Sequence, residues 1–186
     1  NIFKSYSVLS NLIIISSIFL IISSLKDTIK LVKSRTMNFS RVISHSAFGF
    51  LILFIGLNYN FSLEKDFNLK LGETQKYKNY FIKFKELQLK DFKNYKAVIG
   101  KFEINNSKDN SKQFLKPEIR IYSNPNTLTY EAAIRSGLLH DYYITMSNID
   151  RSDYYNIKFQ KKPFMIWIWI SVIFISFGGF LRLFKR

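Results

Sequence analysis

Apolar and polar residues alternate along this chain with two different periods. Residues 8–25, 42–57 and 164–181 contain no Lys, Arg, Asp or Glu, and each lies near the ~20-residue length that crosses a hydrocarbon core as a helix. The middle stretch is short, so residues 58–61 are expected to complete it at the interface. The pattern predicts membrane helices over 8–25, 42–58 and 163–181. In the last of these, Pro163 takes the first helical position, where its missing N–H leaves no bond unmade. Trp167 and Trp169 then fall in the first two turns, at the level of an interfacial aromatic belt.

Between the second and third stretches the period changes to two. Tyr80, Ile82 and Phe84 share one face of a predicted strand, with Lys83 and Lys85 opposite. Val98, Phe102 and Ile104 repeat the pattern, as do Ile119 with Ile121, Tyr142 with Ile144 and Met146, and Tyr155 with Ile157 and Phe159. Residues 105–112 are rich in turn formers. A helical turn or two is expected at TYEAAIRSG, capped by Thr129, with Glu131 in its first turn and Gly137 at its end. Tyr80, Phe84, Phe102, Ile119 and Phe159 are expected to point inward. About 100 residues with five or six short strands predict a small antiparallel barrel or sandwich. The fold class is therefore an α+β membrane protein: three transmembrane helices, with a small antiparallel β-barrel or sandwich-like external domain between the second and third.

Charge orients this arrangement. Residues 26–41 hold Lys26, Lys30, Lys33, Arg35 and Arg41 against Asp27 alone, and the chain closes on Arg182, Lys185 and Arg186. Short basic loops stay on the cytoplasmic side, whereas long translocated segments are exempt from that bias. Residues 1–7 are then a short external lead, 26–41 a basic cytoplasmic loop, 59–162 an external domain and 182–186 a cytoplasmic tail. In a bacterium this places the chain in the inner membrane with a periplasmic domain. For an organelle-encoded chain the membrane would be the mitochondrial inner one. The first apolar stretch is followed by lysines and not by a small-residue cleavage site, so it reads as a span and not as a signal peptide. The chain begins at Asn1 and not at Met, so residues are expected to precede it.

The formal charge of +15 raises nucleic acid as a partner. Of the 28 basic residues only 7 are Arg, and the polar segment holds just Arg120, Arg135 and Arg151, which form no cluster in the sequence. Base readout leans on Arg forks, so no nucleic acid is expected. With no Cys, the chain offers no disulfide, thiolate or Cys-ligated metal.

One ionisable residue stands where such groups are expensive. His45 is the fourth residue of the second apolar stretch, ~6 Å past Arg41 at 1.5 Å per residue. A neutral imidazole there can donate a hydrogen bond to a neighbouring helix. It can equally ligate a metal or haem iron, because imidazole is carried neutral into lipid. Gly49 at i+4 would leave room for a flat macrocycle beside the ring, and Gly56 continues that face loosely. A Gly-lined face is also a helix-packing face. His140, in the polar segment, reads as a solvated residue at the end of a short helix.

Three stretches, in order, carry a family resemblance: ISHSAFGFLILFIGLNYNFSLEKD, PEIRIYSNPNTLTYEAAIRSGLLHDYY and KKPFMIWIWISVIFISFGGFLRLF. They are similar to three segments of the CcmF family, the membrane component of cytochrome c maturation. These are its His-bearing span running into an N-Y-S-V-E-R-D-like strand, its T-E-A-A-I…G-L…D-L-Y segment and its Y-K-P-F-V-R-W-I-W…G-G final span. The similarity runs from Arg41 to the end of the chain. It implies part of a haem lyase, which takes haem from a periplasmic chaperone and joins its vinyl groups to the two cysteines of an apocytochrome c CxxCH motif. It implies that His45 is an axial ligand to the iron of a haem b that passes electrons to the haem being attached. The other ligand would come from spans outside this chain, and no catalytic side chain is carried over. The implied partners are the remainder of the lyase, the other cytochrome c maturation subunits, the haem chaperone and apocytochrome c.

There are departures from the family pattern. Ala47 stands where the family usually has Gly, and His140 has no counterpart from which to take a role. The family's tryptophan-rich haem-handling segment and its external histidine pair are absent. The chain thus corresponds to the last quarter or so of such a protein and is expected to be inactive alone. Two other readings stay open at this stage: a non-enzymatic, membrane-anchored periplasmic binding module, and a structural subunit of a respiratory complex. Within the family, a paralogue serving a nitrite reductase haem is a further possibility.

Overall fold

Ile, Leu and Phe crowd the three uncharged stretches, and in a bilayer such a backbone must satisfy its own N–H and C=O groups, which a helix does locally. The computed structural model describes residues 8–33, 39–108, 111–149 and 152–183. The lead 1–7, the part of the basic loop containing Arg35, and Lys185 and Arg186 of the tail lie outside the described residues. The helices are α1 (Val8–Lys33), α2 (Phe39–Phe61) and α3 (Met165–Leu183). Their 26, 23 and 19 residues correspond to about 39, 35 and 29 Å at 1.5 Å per residue. All three are long and apolar enough to cross a membrane.

All three helix extents depart from the sequence pattern, and α2 starts at Phe39, so that Arg41 belongs to the helix and not to the loop. α1 continues past Leu25 to Lys33, because lysine is a good helix former and Lys30 and Lys33 complement the negative end of the helix. α3 starts at Met165, and Pro163 instead closes the strand Tyr155–Pro163. Phe164, between them, has a φ of 60°. Its carbonyl accepts from the N–H groups of Trp167 and Ile168 at 3.1 and 3.2 Å, so Phe164 caps the helix.

Small residues set the helix contacts. Ser10, Ser17 and Ser24 of α1 are buried and spaced by seven, a repeat that keeps one side of a helix turned to one neighbour. The Ser10 hydroxyl donates to Asn60 Oδ1 at 2.6 Å, and the Ser24 and Ser46 hydroxyls share a hydrogen bond of 2.8 Å. A Cβ on Gly49 or Gly56 of α2 would meet Ile21 or Ile14 of α1 at 2.8 or 2.9 Å. Between α2 and α3, the Ser40 hydroxyl donates to the Gly178 carbonyl at 2.6 Å, and a Cβ on Gly178 would collide with the Ser44 hydroxyl. In lipid, close backbone approach and interhelical hydrogen bonds replace the hydrophobic drive that water would supply.

The strands form a separate unit. They are β1 (Leu63–Leu69), β2 (Thr74–Tyr77), β3 (Tyr80–Asp91), β4 (Tyr95–Asn106), β5 (Ser111–Leu115), β6 (Glu118–Ser123), β7 (Asn126–Glu131), β8 (Ala133–Arg135), β9 (His140–Asn148) and β10 (Tyr155–Pro163). A four-stranded sheet runs β1-β10-β9-β8, and a six-stranded sheet runs β2-β3-β4-β6-β7 with β5 also paired to β4. The sandwich thus has ten strands among the described residues, where the alternation pattern showed five or six. Tyr80, Phe84, Phe102, Ile119 and Phe159 all point into its core. Phe84 and Phe102 are register partners and stack with ring centroids 4.5 Å apart. A bulge between Phe84 and Glu86 makes Lys85 surplus, so that Leu87 and not Glu86 rejoins the core side.

Two expectations fail here. Ile121 is 42% exposed, against 3% for Ile119, because it lies on β6 beyond the last core contact. TYEAAIRSG is not helical. Thr129 and Glu131 pair with Arg120 and Glu118 across β6–β7, and Ala133 to Arg135 pair with Ile144 to Tyr142 across β8–β9. The helix preference of alanine is a few tenths of a kcal/mol, and two waiting strand edges override it.

Candidate functional site around His45

His45 lies in the second turn of α2. Arg41, His45 and Phe48, at i, i+4 and i+7, form one stripe along the helix, and all three are exposed, whereas Ser40, Ala47 and Gly49 are buried against neighbouring helices. The imidazole makes no hydrogen bond or ion pair with another described residue. Gly49 does not leave the room expected beside the ring, since Ile21 fills that space. At 3.6 residues per turn, i+4 is rotated ~40° from His45, enough to move it under α1.

α1 completes the surroundings. Ser23, Ser24 and Asp27 of α1, with Arg41 and His45 of α2, line a notch of about 190 Å³. Asp27 is the only carboxylate among residues 1–62 and 162–186, and His45 is the only imidazole in the three spans. The spans' single acid, their single histidine and a guanidinium thus converge. The sequence assigns Asp27 and Arg41 only to a loop. The available signal was the helical spacing 20-23-24-27 facing 41-45-48, but the register between two helices is not written in either one. The notch is below the ~300–1,000 Å³ of sites that enclose a small molecule, so any large group at His45 lies mainly outside these helices.

A second cleft, of about 380 Å³, lies between α2 and α3 and is walled by Phe50, Phe54, Trp167, Ile170 and Phe174. Its two hydroxyls are already used: Ser46 pairs with Ser24, and Ser171 donates to the Trp167 carbonyl at 2.8 Å. His45 is not part of its lining.

His140 opens β9 and does not end a helix. The Leu139 carbonyl accepts from Phe164 N–H at 2.9 Å, and the Pro163 carbonyl accepts from the Asn58 side chain, so His140 lies by the Asn58 end of α2. His45 is 13 positions earlier, or about 20 Å along the helix. The two histidines are not brought together and cannot hold one metal ion. What His45 offers is an exposed imidazole on the outward stripe of α2, with Asp27 and Arg41 lining the same notch. An exposed imidazole of this kind could give one ligand to a metal shared with another segment.

A family profile described as the CcmF C-terminal beta-sandwich matches residues 60–163. The chain is 32% identical over 146 residues to the cytochrome c-type biogenesis protein CcmF of Haemophilus influenzae, covering 78% of this chain and 22% of that one. It is 26% identical over 144 residues to the CcmF of Escherichia coli, covering 77% and 22%. An uncharacterized mitochondrial protein of Marchantia polymorpha is 37% identical over 71 residues, covering 38% of this chain and 22% of that one. A solved structure of the cytochrome c heme lyase CcmF shares the fold, with a TM-score of 0.59 at 16% identity over 80% of this chain and 24% of that chain. The chain spans 22% of the length of these curated relatives.

Proposed function

The chain belongs to the CcmF family, and from that membership we propose that it is the C-terminal membrane portion of a haem lyase, helping to attach haem covalently to apocytochrome c. The match of the sandwich over residues 60–163 supports the family's role in cytochrome c biogenesis. The exposed imidazole of His45, without a hydrogen-bond or ion-pair partner among the described residues, supports the haem part of the reading. A bound haem b would supply one-electron transfer to the haem being attached. His45 would give the iron one nitrogen ligand, Asp27 of the same notch would hold its other ring N–H, and Arg41, one turn earlier on the same stripe, would pair with a carboxylate of the group. If the haem is held by two histidines, the other would come from a span outside this chain, because His140 is too distant. The partners are the remainder of the lyase, the other maturation subunits, the haem chaperone and apocytochrome c.

The test is complementation. In cells lacking their own lyase, a full-length protein carrying this segment should restore covalent haem, read by peroxidase staining of denatured c-type cytochromes. The same protein without residues 63–161 should not. Restoration by the shortened version would sink the reading.

On the charge asymmetry of the loops, the sandwich lies in the periplasm of a bacterial inner membrane, with 26–41 and the C-terminal tail inside. Single cysteines at Ser34 and at Ser107 should report this in intact cells. Ser107 is an exposed turn residue after β4, and Ser34 lies outside the described residues. An impermeant maleimide should label position 107 alone; labelling at 34 alone would invert the topology.

A further inference from the structure

Two adjacent leucines are exposed where the chain passes from β8 to β9. Leu138 is 69% and Leu139 63% exposed, and the segment Gly137–His140 groups with the helices and not with the sandwich. Both leucines are tied to the start of α3 through their backbones. The Trp167 indole N–H donates to the Leu138 carbonyl at 2.8 Å, and the Phe164 N–H donates to the Leu139 carbonyl at 2.9 Å. The turn is tight as well, since a Cβ on Gly137 would meet the His140 carbonyl at 3.0 Å.

These bonds set the depth of the loop. α3 has 19 residues, or about 29 Å, which is close to the ~30 Å hydrocarbon thickness. Its first residues therefore lie at one boundary of the core, and Trp167 lies in the interfacial layer where amphipathic rings collect. A carbonyl bonded to that indole is at the same level. Trp169, Tyr59 and Phe61, all exposed, extend the apolar collar at this end of α2 and α3. With the two carbonyls satisfied by α3, the loop can enter an apolar layer without bringing those acceptors in unpaired.

We propose that Leu138 and Leu139 form a lipid anchor that dips into the headgroup and acyl boundary beside α3, a hold on the bilayer additional to the three spans. The occupant is phospholipid, because the clamp is to the interfacial tryptophan itself and the pair presents aliphatic carbon without polar groups to specify a protein surface.

The test uses the full-length protein, with any native cysteines replaced, in phosphatidylcholine vesicles. A nitroxide on Leu138→Cys is compared with one on Ser107→Cys as the aqueous reference. Collision with oxygen should exceed, and collision with a water-soluble nickel chelate should fall several-fold below, the values at 107. Ready access of the chelate to position 138 would overturn the proposal. Low access of both reagents would also overturn it, since it would mean that another protein segment covers the leucines. Trp167→Phe keeps the ring and removes the donor. In that background, access of the chelate to position 138 should rise, and an unchanged depth would refute the role given to the clamp.

Discussion

Replacing His45 with Ala in the full-length protein is expected to abolish its reduced b-type haem spectrum. His45 is exposed on the outward stripe of α2, so truncation leaves no cavity between helices, and surface changes of this kind typically shift stability by no more than about 0.5 kcal/mol. Loss of the spectrum would then report a lost ligand and not a lost fold. Free imidazole should partly restore the signal by filling the vacated position. Asp27→Asn is expected to have a milder effect, since outer partners of a ligating histidine usually tune affinity roughly 10–100-fold. The isolated chain should bind haem weakly, because its second histidine, His140, lies by the far end of α2, about 20 Å along that helix from His45. Full haem occupancy and an unchanged reduction potential in the alanine variant would return His45 to a helix-surface role.

Replacing Phe84 with Ala should unfold the sandwich while leaving the three helices in the membrane. Phe84 is fully buried, stacks on Phe102 and meets Tyr155 edge-on with centroids 5.6 Å apart. Truncating a buried Phe costs about 3–5 kcal/mol, a large share of the roughly 5–15 kcal/mol that holds a domain together. Limited proteolysis of the membrane-embedded full-length protein should cut the sandwich rapidly in this variant. Lys83→Ala, one residue earlier on the solvent face, should behave like the parent protein. Equal resistance in both variants would contradict the register of β3.

Local period told the truth about which way side chains face, and less about where elements end. Tyr80, Ile82 and Phe84 alternate with lysines, and that alone assigns their faces, because a strand's geometry permits only two. Ile121 obeys the same alternation yet is exposed, since facing inward is a local property and being covered is not. TYEAAIRSG has a cap, an acid and a terminal glycine in helical order, but β6 and β9 offer pairing to it from elsewhere in the chain. The serines at 10, 17 and 24 recur every seven residues, and only the position of α2 gives that spacing its purpose.

By itself the sequence determined the three spans, the inserted antiparallel domain, its inward-facing rows and the single histidine within the membrane. Each of these follows from residue type and spacing, because helix pitch and strand pleat are properties of the local backbone. Tertiary structure alone decided that Gly49 is filled by Ile21, that Asp27 and Arg41 share a notch with His45, and that Leu138 is held by Trp167. Those depend on the register between elements, which is selected by side-chain packing and paired polar groups across long separations in the chain and leaves no periodic trace in either partner.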